Sequence, residues 1–203
     1  FMITVPTALS ALMQRKVDAD ISTLRIAFCG SSPLPLELYR RFEEAVNAEK
    51  GPTDVKLSIC EGYGLTEATC LVSINPPDGE KRVGSIGIPF PYTDVRIVNV
   101  ATQIDCGSDE VGEICVASPG VYDGKTYTET AKNADLFYPG ENSPLGKSVQ
   151  YLRTGDLGRI DAEGYLWITG RAKDLIIRGG HNIDPAEIEE ALAGHEAVAF
   201  AGA

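Results

Sequence analysis

Apolar residues in the first ~80 positions come in short runs separated by stretches with helical spacing, the alternation that α/β architectures produce. Ile3 to Val5 reads as the end of a strand, followed by a helix that Thr7 caps and that carries Leu9, Leu12 and Met13 on one face. A second strand is expected over Leu24 to Cys29, running into Gly30-Ser31-Ser32-Pro33. From about Pro35 to Asn47, the residues Leu38, Phe42, Ala45 and Val46 recur at helical spacing against a charged face, and Gly51-Pro52 ends that helix. Val55 to Cys60 reads as a third strand, delivering the segment EGYGLTE (61–67) at its end.

After Gly84 the texture changes to short strands between turns, clearest over Asp94 to Val100, Val111 to Ala117 and Tyr165 to Thr169, which predicts a small β-barrel or sandwich. Between them PGENSPLGKSVQ (139–150) reads as a polar, mobile loop rich in turn formers. A third unit is expected from about Lys173, with a helix start marked by Asp184, Pro185 and Glu187. The expected parts are therefore 1–83, an α/β portion, 84–172, a β portion, and 173–203, a hinge and the beginning of a further domain.

Composition narrows the function classes. The 203 residues, 43% of them hydrophobic, suffice for one large or two small domains. No apolar run approaches the roughly 20 residues that cross a bilayer, and the start lacks the pattern of a signal peptide, so a cytoplasmic protein without a transmembrane segment is expected. A formal charge of −11 argues against wrapping a nucleic acid while leaving a mononucleotide open. The five cysteines form no C-x-x-C pair, so neither a disulfide framework nor a zinc site is signalled.

Three segments carry candidate chemistry. In EGYGLTE, Gly62 and Gly64 let the backbone turn sharply beside a ligand, Tyr63 offers a flat face, the Thr66 hydroxyl suits a phosphate oxygen and Glu67 is a hard oxygen ligand of the kind magnesium takes. An ordinary strand-to-helix turn fits the same residues. In RTGDLG (153–158), a tight turn at Gly155 would fix the Asp156 carboxylate to accept from both ribose hydroxyls, although Gly-Asp is also common in hairpins. In GRAKDLIIRGGHNIDPAEIEE (170–190), Arg171 is a permanently charged planar donor for ribose or phosphate or, alternatively, half of a structural ion pair. Lys173-Asp174 is linker-like, and Gly179-Gly180 gives a narrow passage or a simple turn.

Taken in order, the three segments closely resemble the adenylate-forming superfamily of acyl-CoA synthetases, peptide-synthetase adenylation domains and luciferases. The resemblance implies an α/β plus β fold: part of the large N-terminal domain of an acyl-CoA synthetase, made of an α/β subdomain and a small β-barrel subdomain, with the start of the C-terminal α+β domain. It also implies ATP and magnesium at the site, CoA as co-substrate and a small carboxylic acid as substrate. By match, Glu61, Gly62, Tyr63 and Gly64 lie over the nucleotide. Tyr63 stacks on adenine, Thr66 contacts the α-phosphate, Glu67 binds magnesium, and Thr66 and Glu67 together are the catalytic candidates. Asp156 and Arg171 hold the ribose, Lys173 sits at the domain hinge, and Gly179 and Gly180 line the pantetheine channel. CGSSPLP (29–35) is similar to a pocket-forming stretch of the family, which brings Ser31, Ser32 and Pro33 to the nucleotide, with Ser31 where a glycine is usual.

The resemblance places a phosphate-binding loop upstream of Phe1 and a catalytic lysine beyond Ala203, so the missing N-terminal and C-terminal parts of the same protein are expected partners and the 203 residues alone are expected to be inactive and prone to associate. The implied parent is an AMP-forming acyl-CoA synthetase acting on a carboxylic, in the first instance fatty, acid. GGHNIDPAEIEE favours this over a peptide-synthetase adenylation domain. A non-catalytic nucleotide-binding module is the alternative from another class.

Overall fold

The computed structural model describes residues 1–15, 20–50, 56–122, 126–174, 176–178 and 181–183, and singly 185, 188, 191, 192, 195, 197 and 198. Contacts divide the chain into two compact units, Phe1–Pro91 and Tyr92–Ala203. In the first, β1 (Met2–Thr4), α1 (Pro6–Met13), β2 (Ile26–Cys29), α2 (Leu36–Lys50) and β3 (Ser58–Tyr63) alternate. The three strands are parallel, a pairing that requires crossover connections such as α1 and α2. The sheet is then completed antiparallel by β4 (Ser73–Ile74) and β5 (Ile88–Pro89), in the order β1-β2-β3-β4-β5.

The apolar spacings place the core where the sequence predicts it. Leu9 of α1 and Phe42 and Val46 of α2 are buried with Tyr39 against Ala27, Cys29, Leu57 and Ile59, and Leu12, Met13 and Leu38 pack around them. Fully burying a side chain such as Leu9 or Phe42 contributes roughly 2 kcal/mol. Thr7 does not cap α1: Pro6 takes the first helical position, whose amide has no intrahelical partner, and Val5 is the extended residue before it. The third strand runs three residues further than the sequence predicts. Glu61, Gly62 and Tyr63 belong to it because Gly62 and Tyr63 pair with Ile74 and Ser73. β1 is an edge strand that leaves Phe1 83% and Ile3 79% exposed, apolar surface of the kind expected to promote association.

The second unit is an open antiparallel sheet of β6 (Asp94–Val98), β7 (Gly112–Ala117), β8 (Phe137–Ser143), β9 (Gly146–Ile160) and β10 (Leu166–Arg171). Its core gathers Val98, Cys115, Ala117 and Tyr151. The segment 139–150 is not a loop. It forms most of a hairpin in which β8 pairs with the first half of β9, from Phe137 opposite Leu152 to Ser143 opposite Gly146. Its polar side chains mostly face outward, while the ladder itself and the buried Tyr151 hold it in place. Two short strands follow, β11 (Ile176–Arg178) and β12 (His181–Ile183), paired antiparallel. Asp184 and Glu187, read as a helix start, lie outside the described residues.

Candidate nucleotide-binding site

In the first unit the residues singled out lie at the carboxyl ends of parallel strands, the position where open α/β sheets take ligands. Cys29 of β2 is in register with Glu61 of β3. A Cβ on Gly30 would lie 2.9 Å from the Gly62 carbonyl oxygen, so the chains leaving β2 and β3 run side by side. Ser31, Ser32 and Pro33 are exposed there, and Ser31 holds φ +77°, a left-handed conformation natural to glycine.

After β3 the chain makes a tight excursion to β4. Thr66–Ala68 form one turn of 3-10 helix, Cys70 donates its amide to Leu65 O at 3.1 Å, and Thr69 and Cys70 take φ of +54° and +84° to turn the chain back. Val72 N–H then reaches Tyr63 O at 2.9 Å. Within this loop Tyr63 is buried, Thr66 is exposed and Glu67 is half-buried. A hydroxyl donor and a carboxylate therefore sit on adjacent residues of one turn. That donor set fits a magnesium–phosphate group, since magnesium keeps most of its coordination for phosphate oxygens and water and takes one or two protein carboxylates.

Glu61 faces a different task. It is buried, and its Oε2 accepts the Gly84 amide at 2.9 Å. Neighbouring contacts fasten the same segment: Asn75 donates to Ser85 O at 2.7 Å and accepts the Arg82 amide at 2.9 Å, and Ser73 Oγ donates to Ile86 O at 2.7 Å. Burial pushes the Glu61 carboxyl up to about 7, with the Gly84 amide acting in the opposite direction. Below pH ~4.5 the group is protonated in both folded and unfolded chains and contributes nothing. Between pH ~4.5 and ~7 only the unfolded chain ionises it, so the folded state loses stability as pH rises, on the order of 3 kcal/mol in all. Glu61→Gln is therefore expected to raise the melting temperature at pH 8 and leave it unchanged at pH 4, as thermal denaturation at the two pH values will read. An equal shift at both would show that the group does not titrate in this range.

In the second unit Asp156 and Arg171 come together. They are directly opposite in the β9–β10 pairing, and Arg171 Nε donates to Asp156 Oδ1 at 2.9 Å. Asp156 is buried while the Arg171 side chain is 58% exposed. The expected tight turn at Gly155 is instead a bulge within a 15-residue strand: Leu157 pairs with Glu113 and Arg153 with Cys115, so residues 154–156 stand opposite Ile114 alone. Gly155 takes φ +74° with nothing within 4 Å of a built Cβ, so it is the backbone conformation and not space that favours glycine there. An acceptor and a fork of donors side by side match a vicinal diol. Lys173 lies exposed in the turn that Asp174 N–H closes on Arg171 O at 3.1 Å, whereas Gly179 and Gly180 lie outside the described residues.

Sequence reasoning passed over Glu113, Asn75 and Ser85. Glu113 sits in an otherwise small and apolar strand, where a single carboxylate reads as solvent-facing, yet it is buried.

Residues 1–124 match the family described as AMP-binding enzyme. The chain belongs to that family. Among its relatives, a marinolic acid–CoA ligase of Pseudoalteromonas sp. (strain SANK 73390) is 41% identical over 100% of this chain and 29% of its own length. A long-chain-fatty-acid–CoA ligase of Bacillus subtilis (strain 168) is 36% identical over 88% of the chain and 28% of its length. Among solved structures, the o-succinylbenzoate coenzyme A synthetase of Bacillus subtilis in complex with ATP and magnesium superposes with a TM-score of 0.73 at 32% identity, over 98% of this chain and 37% of that one. The chain thus spans about 30% of the length of these curated relatives. The AMP-binding fold expected from the three motifs is present as mixed and antiparallel sheets with few helices. Among the described residues no helix is long and apolar enough to cross a membrane.

Proposed function

We propose that the protein carrying this chain is an AMP-forming acid–CoA ligase of the cytoplasm whose preferred acid is a fatty acid. The acid's carboxylate oxygen attacks the α-phosphorus of ATP and pyrophosphate leaves. The CoA thiol then attacks the acyl carbon, AMP leaves and the thiol proton is released. Magnesium, when bound, neutralises charge on the phosphate oxygens. Thr66 donates a hydrogen bond to the α-phosphate from its exposed place on the 3-10 turn, and Glu67 beside it supplies a carboxylate to the metal. The resemblance assigns Tyr63, which is buried at the end of β3, to the adenine, and the chains around Glu61, Gly62, Gly64 and around Ser31, Ser32 and Pro33 to the walls. Asp156 and Arg171 take the ribose diol, Lys173 serves as hinge, and Gly179 and Gly180 flank the pantetheine of CoA.

The observation that carries this reading is the pairing of a buried acceptor, Asp156, with an exposed guanidinium, Arg171, on a bulge that interrupts an otherwise regular ladder. The CoA-ligase relatives support the CoA step, and the Bacillus subtilis fatty-acid ligase supports the choice of acid. The test is pyrophosphate release by the intact protein with MgATP and a panel of fatty, aryl and amino acids, with and without CoA. Release with fatty acids and a thioester product is expected. Release with amino acids and no CoA consumption would assign a carrier-protein adenylation domain instead, and no release with any acid would leave a non-catalytic nucleotide-binding module.

A further inference from the structure

We infer that Glu113 is a positioning residue for nucleotide recognition: it clamps the bulge that aims Asp156. This rests on the reading of Asp156 as the ribose acceptor. Both carboxylate oxygens of Glu113 are engaged, and both by β9. Oε1 accepts the Gly155 amide at 3.2 Å and Oε2 accepts Arg153 Nη1 at 3.1 Å. The two contacts fall on residues two apart in the strand, on the approach to the bulge and at its apex, where the β7–β9 ladder is interrupted.

Without that carboxylate, the Gly155 amide would lose its partner in β7. Two further contacts brace the bulge, one also from β7 and one from the β10 side. Thr154 Oγ1 donates to Ile114 O at 2.8 Å and accepts the Asp156 amide at 3.1 Å, and Gly155 O accepts the Ala172 amide from the β10 side at 2.9 Å. Gly155 is thus held by its N–H from β7 and by its carbonyl from the residue after Arg171. Its φ of +74° belongs to a region glycine enters at no steric cost, so the peptide needs external partners to settle on one orientation. Glu113 supplies the anionic one, and the contact with Arg153 keeps that carboxylate oriented. Because Asp156 follows Gly155 directly, rotation of this peptide moves the carboxylate that meets the ribose.

The test compares ATP with 2′,3′-dideoxy-ATP in pyrophosphate release by the intact protein. For Glu113→Ala the preference for ATP over the dideoxy analogue, as a ratio of kcat/KM values, is expected to fall about tenfold, with the dideoxy value little changed. Glu113→Gln retains a carbonyl for the Gly155 amide and is expected to lose only two- to threefold; it carries the test should the alanine variant fail to fold. A loss shared equally by both nucleotides in either variant would mean that Glu113 only stabilises the fold, and would overturn the inference. Asp156→Ala run alongside separates the two readings: an unchanged ratio there defeats the ribose assignment itself, and with it the role given to Glu113. Hydrogen exchange of the Gly155 amide gives an activity-independent measure. It is expected to accelerate at least about tenfold in Glu113→Ala while amides of the β8–β9 hairpin stay protected, and unaltered exchange would show that the clamp does not hold.

Discussion

Glu67→Ala in the intact protein is expected to slow acid-dependent pyrophosphate release by roughly 10²–10³-fold while leaving the melting temperature within a few degrees. The asymmetry follows from where the residue sits. Glu67 is half-buried on a single 3-10 turn beyond the end of β3, and the turn is held by backbone bonds, from Ala68 and Cys70 to Leu65 O and from Thr69 to Thr66 O, that do not use its side chain. The turn itself is therefore closed without the carboxylate, whereas the proposed reaction builds charge on phosphate oxygens that the metal must offset. Comparing the rate with circular-dichroism melting separates the two effects. A rate within threefold of the parent would remove Glu67 from the machinery.

Gly64→Ala is expected to do the reverse, damaging structure first. A Cβ built on Gly64 would stand 1.4 Å from the Cys70 carbonyl oxygen and 3.0 Å from Leu71 Cα, both backbone atoms, so no side-chain rotation relieves the clash and the excursion 64–71 must open. A cost of about 3 kcal/mol or more is expected, equivalent to a melting-temperature drop on the order of 10 °C, together with loss of adenylation as Thr66 and Glu67 move. Gly155→Ala is the control, because its built Cβ meets nothing within 4 Å and only the left-handed backbone resists, at about 1 kcal/mol. Equal denaturation midpoints for the two variants would refute this account of the loop.

The parallel half of the fold was legible because burial there has a period. Leu9, Phe42 and Val46 mark helix faces, and short apolar runs mark β1 and β2. Legibility failed where backbone pairing, not side-chain burial, holds the chain. The glycines of EGYGLTE suggested a turn from Glu61 onward, yet two ladder pairs keep Gly62 and Tyr63 in the sheet. PGENSPLGKSVQ looked like a loop because an outward-facing hairpin needs no apolar stripe. At the candidate site, residue types pointed to Asp156 and Arg171, and cross-strand register brings them together. The boundary at 83/84 followed a change of composition, whereas Ile88 and Pro89 still pair with β4 and the compact units divide after Pro91. Glu113 left no signal, since its partner lies 42 residues away.

That separation also bears on how the second unit assembles. One edge of β9 receives β8 along its first half and β10 along its second, both through short reversals, and the Asp156–Arg171 contact spans only 15 residues. The other edge receives β7 from far back in the chain, across the 42 residues between Glu113 and Gly155. Closing the longer segment costs more chain entropy, so it is expected to be the slower event. The Asp156–Arg171 pair is thus built from neighbouring sequence, whereas the bulge that orients it depends on a strand from far back in the chain, so folding kinetics are expected to show the pair forming before the bulge is fixed.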